Sequence, residues 1–264
     1  MKISILGYGN LGGSIANGLK SFSSIKKIYV TKKDVDNLKQ NIEDKKCILT
    51  SDNLNAVINS NIIFLTVQPK QFKGLAEEIK GHVNSDQIII SPITGISIKD
   101  LEEEFGNDKK IIRCMTNTAV AIKHAVTSIC SNKTGKNSIK VVENIFKKLG
   151  HTMIIEEKNM QAATVISASG IAFWMRLIRA TAQGGVQLGF ESNQALEMSL
   201  MTSLGAAKLL EQNQSHPEDE IDKVTTPNGC TIEGLIEMEH QGLSSALIKG
   251  IEKSFDKINI MKKE

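Results

Sequence analysis

Over the first 155 residues, short apolar runs alternate with stretches of helical spacing. Lys2-Ile3-Ser4-Ile5-Leu6 reads as a strand, and Ile15, Ala16 and Leu19 recur at the spacing of one helix face. A second strand is expected at Ile28 to Thr31, then a helix from about Asp34 to Glu43, a short run near Cys47 to Leu49 and a helix opening at Asp52. Ile62-Ile63-Phe64-Leu65-Thr66-Val67 is continuously apolar, as in strands covered on both faces of a parallel sheet, and it stops at Gln68-Pro69. Gln87-Ile88-Ile89-Ile90 precedes Pro92-Ile93-Thr94-Gly95, and Lys110-Ile111-Ile112-Arg113-Cys114-Met115 precedes Thr116-Asn117-Thr118. Such alternation predicts βαβ units. Segments 67–69, 94–95 and 116–118 follow strand ends, where open α/β sheets bind ligands. From about Glu156 the strand signal stops, and segments 159–188, 193–213, 217–224 and 231–259 carry helical spacing. Elongated helices with apolar stripes bury poorly as one copy, so this half is expected to form a dimerisation domain.

The first strand runs directly into Gly7-Tyr8-Gly9-Asn10-Leu11-Gly12, a G-x-G-x-x-G between strand and helix. The first glycine permits the tight turn, the second lets backbone approach a pyrophosphate, and the third lets helix pack on strand. The fold class is therefore α/β: a Rossmann-like doubly wound sheet over residues 1–155, then an all-α domain over 156–264. No acid stands between Gly12 and Lys33 to hold a ribose 2′-hydroxyl. Thr31, Lys32 and Lys33 instead offer a hydroxyl and two cations where a 2′-phosphate would lie, which favours NADPH, with NADH as the alternative since Asp34 can serve a ribose.

Near the other end, Val224-Thr225-Thr226-Pro227-Asn228-Gly229-Cys230 is a turn sequence leading to a helix expected from Thr231, with Ile232, Leu235, Ile236 and Met238 behind it. A helix start presents unpaired N–H groups and the positive end of the dipole, enough to bind a carboxylate. Alone it is an ordinary loop-to-helix junction; beside a dinucleotide motif it becomes a candidate substrate pocket.

Composition narrows the class further. The 264 residues carry a formal net charge of +3 with 4% aromatic residues, and no basic stripe interleaves with aromatics, so nucleic acid is not an expected partner. The N-terminus lacks the regions of a signal peptide. The longest mostly uncharged helical run, Met160 to Met175, is short and ends at Arg176, so no membrane span is expected and the chain is placed in the cytoplasm. Cys47, Cys114, Cys130 and Cys230 show no C-x-x-C spacing and read as reduced thiols; with histidines scattered at 82, 124, 151, 216 and 240, no metal site is expected.

Taken in order, these motifs resemble pyrroline-5-carboxylate reductase over essentially the full length. Gly7 to Gly12 resembles that family's dinucleotide loop, Leu65-Thr66-Val67-Gln68-Pro69 its A-V-K-P segment, and Arg113-Cys114-Met115-Thr116-Asn117-Thr118 its R-x-M-(P/T)-N-T segment. Ser167-Ala168-Ser169-Gly170-Ile171-Ala172-Phe173 stands where the family has S-G-S-G-P-A-Y, and Val224 to Thr231 resembles V-(T/S)-S-P-G-G-(T/A)-T. Several variants are similar to the subset found in Bacteroidetes-type bacteria. Gln68 replaces a Lys, Ala168 and Ile171 replace Gly and Pro, Asn228 replaces Gly, and Cys230 occupies a Thr or Ala position.

The resemblance implies reduction of L-1-pyrroline-5-carboxylate to L-proline, the step that completes proline synthesis, by a homodimer or a decamer of dimers. It implies substrate contacts from Val224, Asn228, Gly229, Cys230 and Thr231, with the Thr231 hydroxyl either beside the substrate or capping its helix. It implies cofactor contacts from Leu6 through Gly12, Thr31, Lys32, Lys33, Asn53, Thr66 through Pro69, Thr94, Gly95 and Asn117. Two alternatives stay open: a related imine or 3-hydroxyacid reductase, although 159–188 lacks the lysine usual in the hydroxyacid branch, and a non-catalytic NADP(H)-binding regulatory paralogue.

Overall fold

The computed structural model describes residues 1–34 and 45–261; the helix expected from Asp34 to Glu43 lies outside the described residues. The chain forms two compact units, one running to Ser169 and resuming at Phe255, the other spanning Gly170–Ser254.

In the first unit the described elements are β1 (Lys2–Leu6), α1 (Asn10–Lys20), β2 (Lys27–Thr31), β3 (Cys47–Thr50), α2 (Asn53–Ile58), β4 (Ile62–Leu65), α3 (Phe72–Ile79), β5 (Ile88–Ser91), α4 (Ile98–Phe105), β6 (Lys110–Met115), β7 (Ala125–Ser131), α5 (Ile139–Lys147), β8 (Gly150–Ile154) and α6 (Met160–Ala163). One eight-stranded sheet takes the order β3-β2-β1-β4-β5-β6-β7-β8. Strands β1 to β6 are parallel, β7 runs against β6, and β8 follows β7. Chain order reverses between β1 and β4, which makes that junction the topological switch point.

The continuous apolar runs divide their side chains between two cores because successive strand residues face opposite ways. Ile62 and Phe64 join Ile3, Ile5, Ile15 and Leu19 on one face. Ile63 and Leu65 join Leu6, Phe72, Leu75 and Leu101 on the other. Phe64 meets Phe146 of α5 edge-on, ring centroids 6.1 Å apart. Burying one such ring contributes about 2–3 kcal/mol, so the sheet is held from both sides by helices of its own unit.

After α6 the helix widens into a π-turn at Thr164–Ser169. The second unit holds α7 (Gly170–Gln187), α8 (Ser192–Asn213), α9 (Pro217–Val224), α10 (Cys230–His240) and the start of α11 (Leu243–Met261). Two sequence expectations need correction here. The single helix expected over 231–259 is two, because Gly242 takes φ +79° and turns the chain between α10 and α11. The helical stretch Glu157–Gln187 is long and apolar enough, by length and composition, to cross a membrane. The helical spacing expected over 159–188 matches α7, which continues past Arg176 and Arg179 to Gln187, and two arginines in so long a stretch leave it apolar enough, so the expectation that no segment is long and apolar enough to span does not hold.

Candidate active site

In the first unit a cavity of about 400 Å³ opens at the switch point, lined by Gly9, Asn10, Leu11, Leu65 to Pro69, and Pro92 to Thr94. Its walls are thus the start of α1 and the segments following β4 and β5, all at the carboxyl edge of the parallel strands. Pro92 and Ile93 escaped the sequence reading, which began the third wall at Thr94; β5 ends at Ser91, so their place after it was the available signal.

The glycine turn is built by close approach. Gly7 sits at φ +109°, where a Cβ would stand 2.9 Å from Thr66 O and 3.0 Å from Val67 Cγ1. A Cβ on Gly12 would collide with the carbonyl oxygen of Gly7 and come within 2.8 Å of Thr66 Oγ1. Thr66 locks this contact by donating its hydroxyl to Gly7 O at 2.7 Å and Leu6 O at 3.1 Å. Gly9, the N-cap of α1, has open space where its Cβ would be, and no side chain caps that helix. Backbone amides at a helix start, bare at the mouth of a cavity, suit a pyrophosphate. The Tyr8 ring lies over Gly13 instead, and burial, then nearby Cys47, raises its hydroxyl pKa.

At the end of β2 the expected trio divides. Thr31 is buried and its hydroxyl accepts from Gly7 N at 3.3 Å, which assigns it to the turn; Lys32 and Lys33 are exposed. Asn53 opens α2 and donates to the Glu78 carboxylate, and Gly95 takes φ +85° just past the lining residues. Asn117 donates to Ser167 O at 2.8 Å and accepts from Ala119 N at 3.0 Å. Gln68 N donates to Gln71 Oε1, which shapes the turn entering α3.

In the second unit, Thr226 O accepts from Gly229 N at 2.9 Å across Pro227 and Asn228, with Asn228 at φ +58°. Proline followed by a left-handed residue is the pattern of a type II turn, and Asn is the non-glycine residue that takes that conformation most readily. A Cβ on Gly229 would run into Thr226. Helix α10 starts at Cys230, one residue before the expected Thr231, with Gly229 as an N-cap that offers no side chain. Thr231 therefore stands inside the first turn and does not cap it. Its hydroxyl and the uncapped amides of that turn share the helix start with exposed Cys230, while Val224, also exposed, closes α9.

The interior thiols are chemically quiet. Burial pushes the Cys114 thiol well above its ordinary range, and burial together with Glu157 pushes Cys130 up to about 12. Among the described residues no group of three or more His, Cys, Asp or Glu side chains is placed to hold a metal.

A switch-point cavity served by a glycine turn defines the dinucleotide-dependent oxidoreductase class. Comparison with known proteins agrees: residues 2–95 match the family described as NADP oxidoreductase, coenzyme F420-dependent, and residues 157–261 match pyrroline-5-carboxylate reductase dimerisation. Pyrroline-5-carboxylate reductase 2 of Dictyostelium discoideum is 39% identical over 97% of this chain and 91% of its own length. Pyrroline-5-carboxylate reductase 1 of the same organism is 40% identical, and there the chain spans about half, 49%, of the relative. The crystal structure of Plasmodium falciparum pyrroline carboxylate reductase with NADP bound superposes with a TM-score of 0.90 at 26% identity, covering 99% of this chain and 98% of that one. The chain belongs to the pyrroline-5-carboxylate reductase family.

Proposed function

We infer that this chain reduces L-1-pyrroline-5-carboxylate to L-proline with NADPH, NADH being the alternative cofactor. The observation that carries the reading is the switch-point cavity with Gly9 at its mouth, where the room a Cβ would fill is left to a ligand. Backbone of Leu6 to Gly12 and the walls Thr66 to Pro69 and Pro92 to Gly95 would hold the dinucleotide, with Lys32 and Lys33 on a 2′-phosphate; NADPH, when bound, supplies the hydride. Asn53, the first residue of α2, is assigned to the same cofactor.

The chemistry left to side chains is modest. The substrate is a cyclic imine bearing a carboxylate, and its C=N carbon accepts hydride most readily once the ring nitrogen is protonated. An iminium arriving from solvent brings that proton with it, so no strong acid is required of the chain. Placement and a grip on the carboxylate remain. We assign the grip to the first-turn amides of α10 around Asn228 to Thr231, and the Thr231 hydroxyl to the ring nitrogen or carboxylate, with Val224 beside them. The uncapped start of α10 supports this.

Residues 1–155 are proposed as the NADP-binding part and 156–264 as the substrate and dimerisation part. The working unit is a homodimer, or a decamer of dimers, supported by the dimerisation-family match and by the exposed apolar side chains of α7 and α8. Four unbridged cysteines suit the reducing cytoplasm. The test is direct: purified protein, pyrroline-5-carboxylate and NADPH, with absorbance of the reduced cofactor followed and proline quantified. Rapid oxidation with stoichiometric proline is expected; bound NADPH that stays reduced in the presence of the imine would overturn the assignment.

A further inference from the structure

Side chains 113, 115 and 117 follow one another on one face of β6 and its extension, Asn117 still being extended at φ −126° and ψ 176°. Each finds a partner in residues 157–167. Arg113, 4% exposed, pairs through Nη1 with Glu157 Oε1 at 3.0 Å, and that same oxygen accepts from Ile98 N at 2.7 Å, at the start of α4. Met115 packs with Met160 in a small core of its own. Asn117 donates through Nδ2 to Ser167 O at 2.8 Å, inside the π-turn. The lengths match: ten helical residues rise about 15 Å, and four extended ones about 13 Å. The segment thus lies along β6 and is fastened at both ends.

The upper fastening sits at the carboxyl edge of the sheet, where the segments after β4 and β5 wall the cofactor cavity. With the 2′-phosphate assigned to Lys32 and Lys33 as proposed above, the adenosine end lies beyond β1 and the nicotinamide end would lie toward β5 and β6. Asn117 also ties this corner to α1. Its Oδ1 accepts from Ala119 N and opens the 3-10 turn Thr118–Ile122, which packs so closely on α1 that a Cβ on Gly18 would stand 2.6 Å from Val120 O. Single π-turns inside helices recur at functional sites, and this one has a backbone carbonyl, that of Ser167, held from outside by Asn117.

We propose that Asn117 is a positioning residue for the reduction: it fixes the π-turn 164–169 at the nicotinamide end of the sheet edge and does not itself bind the dinucleotide. Each end of its carboxamide already holds a protein group, Nδ2 on Ser167 O and Oδ1 on Ala119 N. The proposal rests on the reductase reading for its kinetic consequence, whereas the anchoring it describes can be measured without turnover.

Two variants separate the possibilities. Asn117→Asp keeps the acceptor for Ala119 N but sets an oxygen against Ser167 O; Asn117→Ser keeps a short acceptor and cannot reach Ser167, so it serves if the first does not fold. Hydrogen exchange at residues 164–169 should quicken about tenfold in both, and NADPH titrated by fluorescence should bind within about twofold of wild type. With wild-type turnover as reference, kcat should fall about tenfold or more, and the primary isotope effect with deuterated cofactor should grow as hydride transfer becomes slower. Unchanged exchange at 164–169 would sink the anchoring. A loss of NADPH affinity equal to the loss in kcat would make Asn117 a cofactor ligand and overturn the proposal. Failure of the wild type to consume the imine would instead count against the reductase reading, and the exchange result would still decide the anchoring.

Discussion

The two compact units solve the problem of burial differently. In the first, strands β1, β2, β4, β5 and β6 are wrapped on both faces, and Ile3, Ile5, Phe64, Ile63 and Ile89 are wholly buried. Across Gly170–Ser254 only Gly170, Ala182, Ala195 and Ser199 are buried, while Trp174, Leu188, Leu196, Leu200 and Met201 are at least half exposed. Where α7 and α8 meet, small residues set the spacing: a Cβ on Gly185 would stand 3.0 Å from that of Ala195. The sheet unit completes its core from its own sequence, and the helical unit carries apolar surface of an extent that marks an interaction site. Stability of the first is a property of the chain, and stability of the second should depend on how many chains are present.

The comparison can be broken most forcefully in the cores. Phe64→Ala should destabilise by about 3–5 kcal/mol whatever the protein concentration, whereas Leu200→Glu should lower the melting temperature most in dilute solution and shift light scattering toward the monomer. Equal concentration dependence for the two would erase the distinction. Next comes Gly12→Ala, whose methyl would meet the carbonyl of Gly7; NADPH binding should be lost while a dimer persists, as calorimetric titration and scattering would show. Thr231→Ala should cut turnover of the imine far more than NADPH affinity, by about tenfold or more in kcat/KM; an unchanged rate would remove this hydroxyl from the mechanism. Lys32→Ala with Lys33→Ala should weaken NADPH relative to NADH by about tenfold, and equal effects on both cofactors would reduce the pair to solvated surface.

The smallest effect concerns Glu220, which Lys223, Ser215 and Asn213 hold at the corner between α8 and α9. Those hydrogen bonds, Lys223 first, lower its carboxyl from the ordinary 4.5 to about 2. Because the folded value is the lower one, the clasp contributes fully above pH 4.5 and is lost as pH falls toward 2. Thermal melts across that window should show a shallow acid loss that Glu220→Gln removes, smaller still at high salt since the group is exposed. An identical acid profile in the variant would show that other carboxylates set it.

Where sequence and structure agree, one local signal sufficed. Runs such as 62–65 are apolar at every position because both faces are covered, and that pattern needs no knowledge of neighbours. The glycine turn was legible for the same reason, as was the strain-tolerant role of Asn228. What escaped depended on partners distant in sequence. The contact of the Thr31 hydroxyl with Gly7 N is set by the β1–β2 register. The π-turn at 164–169 has helical composition, and its widening is visible only beside Asn117. Strand β7, which pairs antiparallel with β6 after the connection 116–124, was not read from the sequence either. The break at Gly242 was within reach, since Gln241-Gly242 carries a helix-stop signal inside an otherwise helical run.

The crowding of Gly7, Gly12 and Thr66 has a consequence for how this enzyme could change over generations. Backbone oxygens press on both glycine positions, so a side chain at either one meets main chain and the turn is inherited as a unit. The exposed end of β2 is under no such constraint, and residues 32 and 33 can be exchanged one at a time without touching the turn. On the cofactor contacts proposed above, adaptation to a different pool of reduced nucleotide would be channelled into those two lysines, while the glycine turn stays frozen.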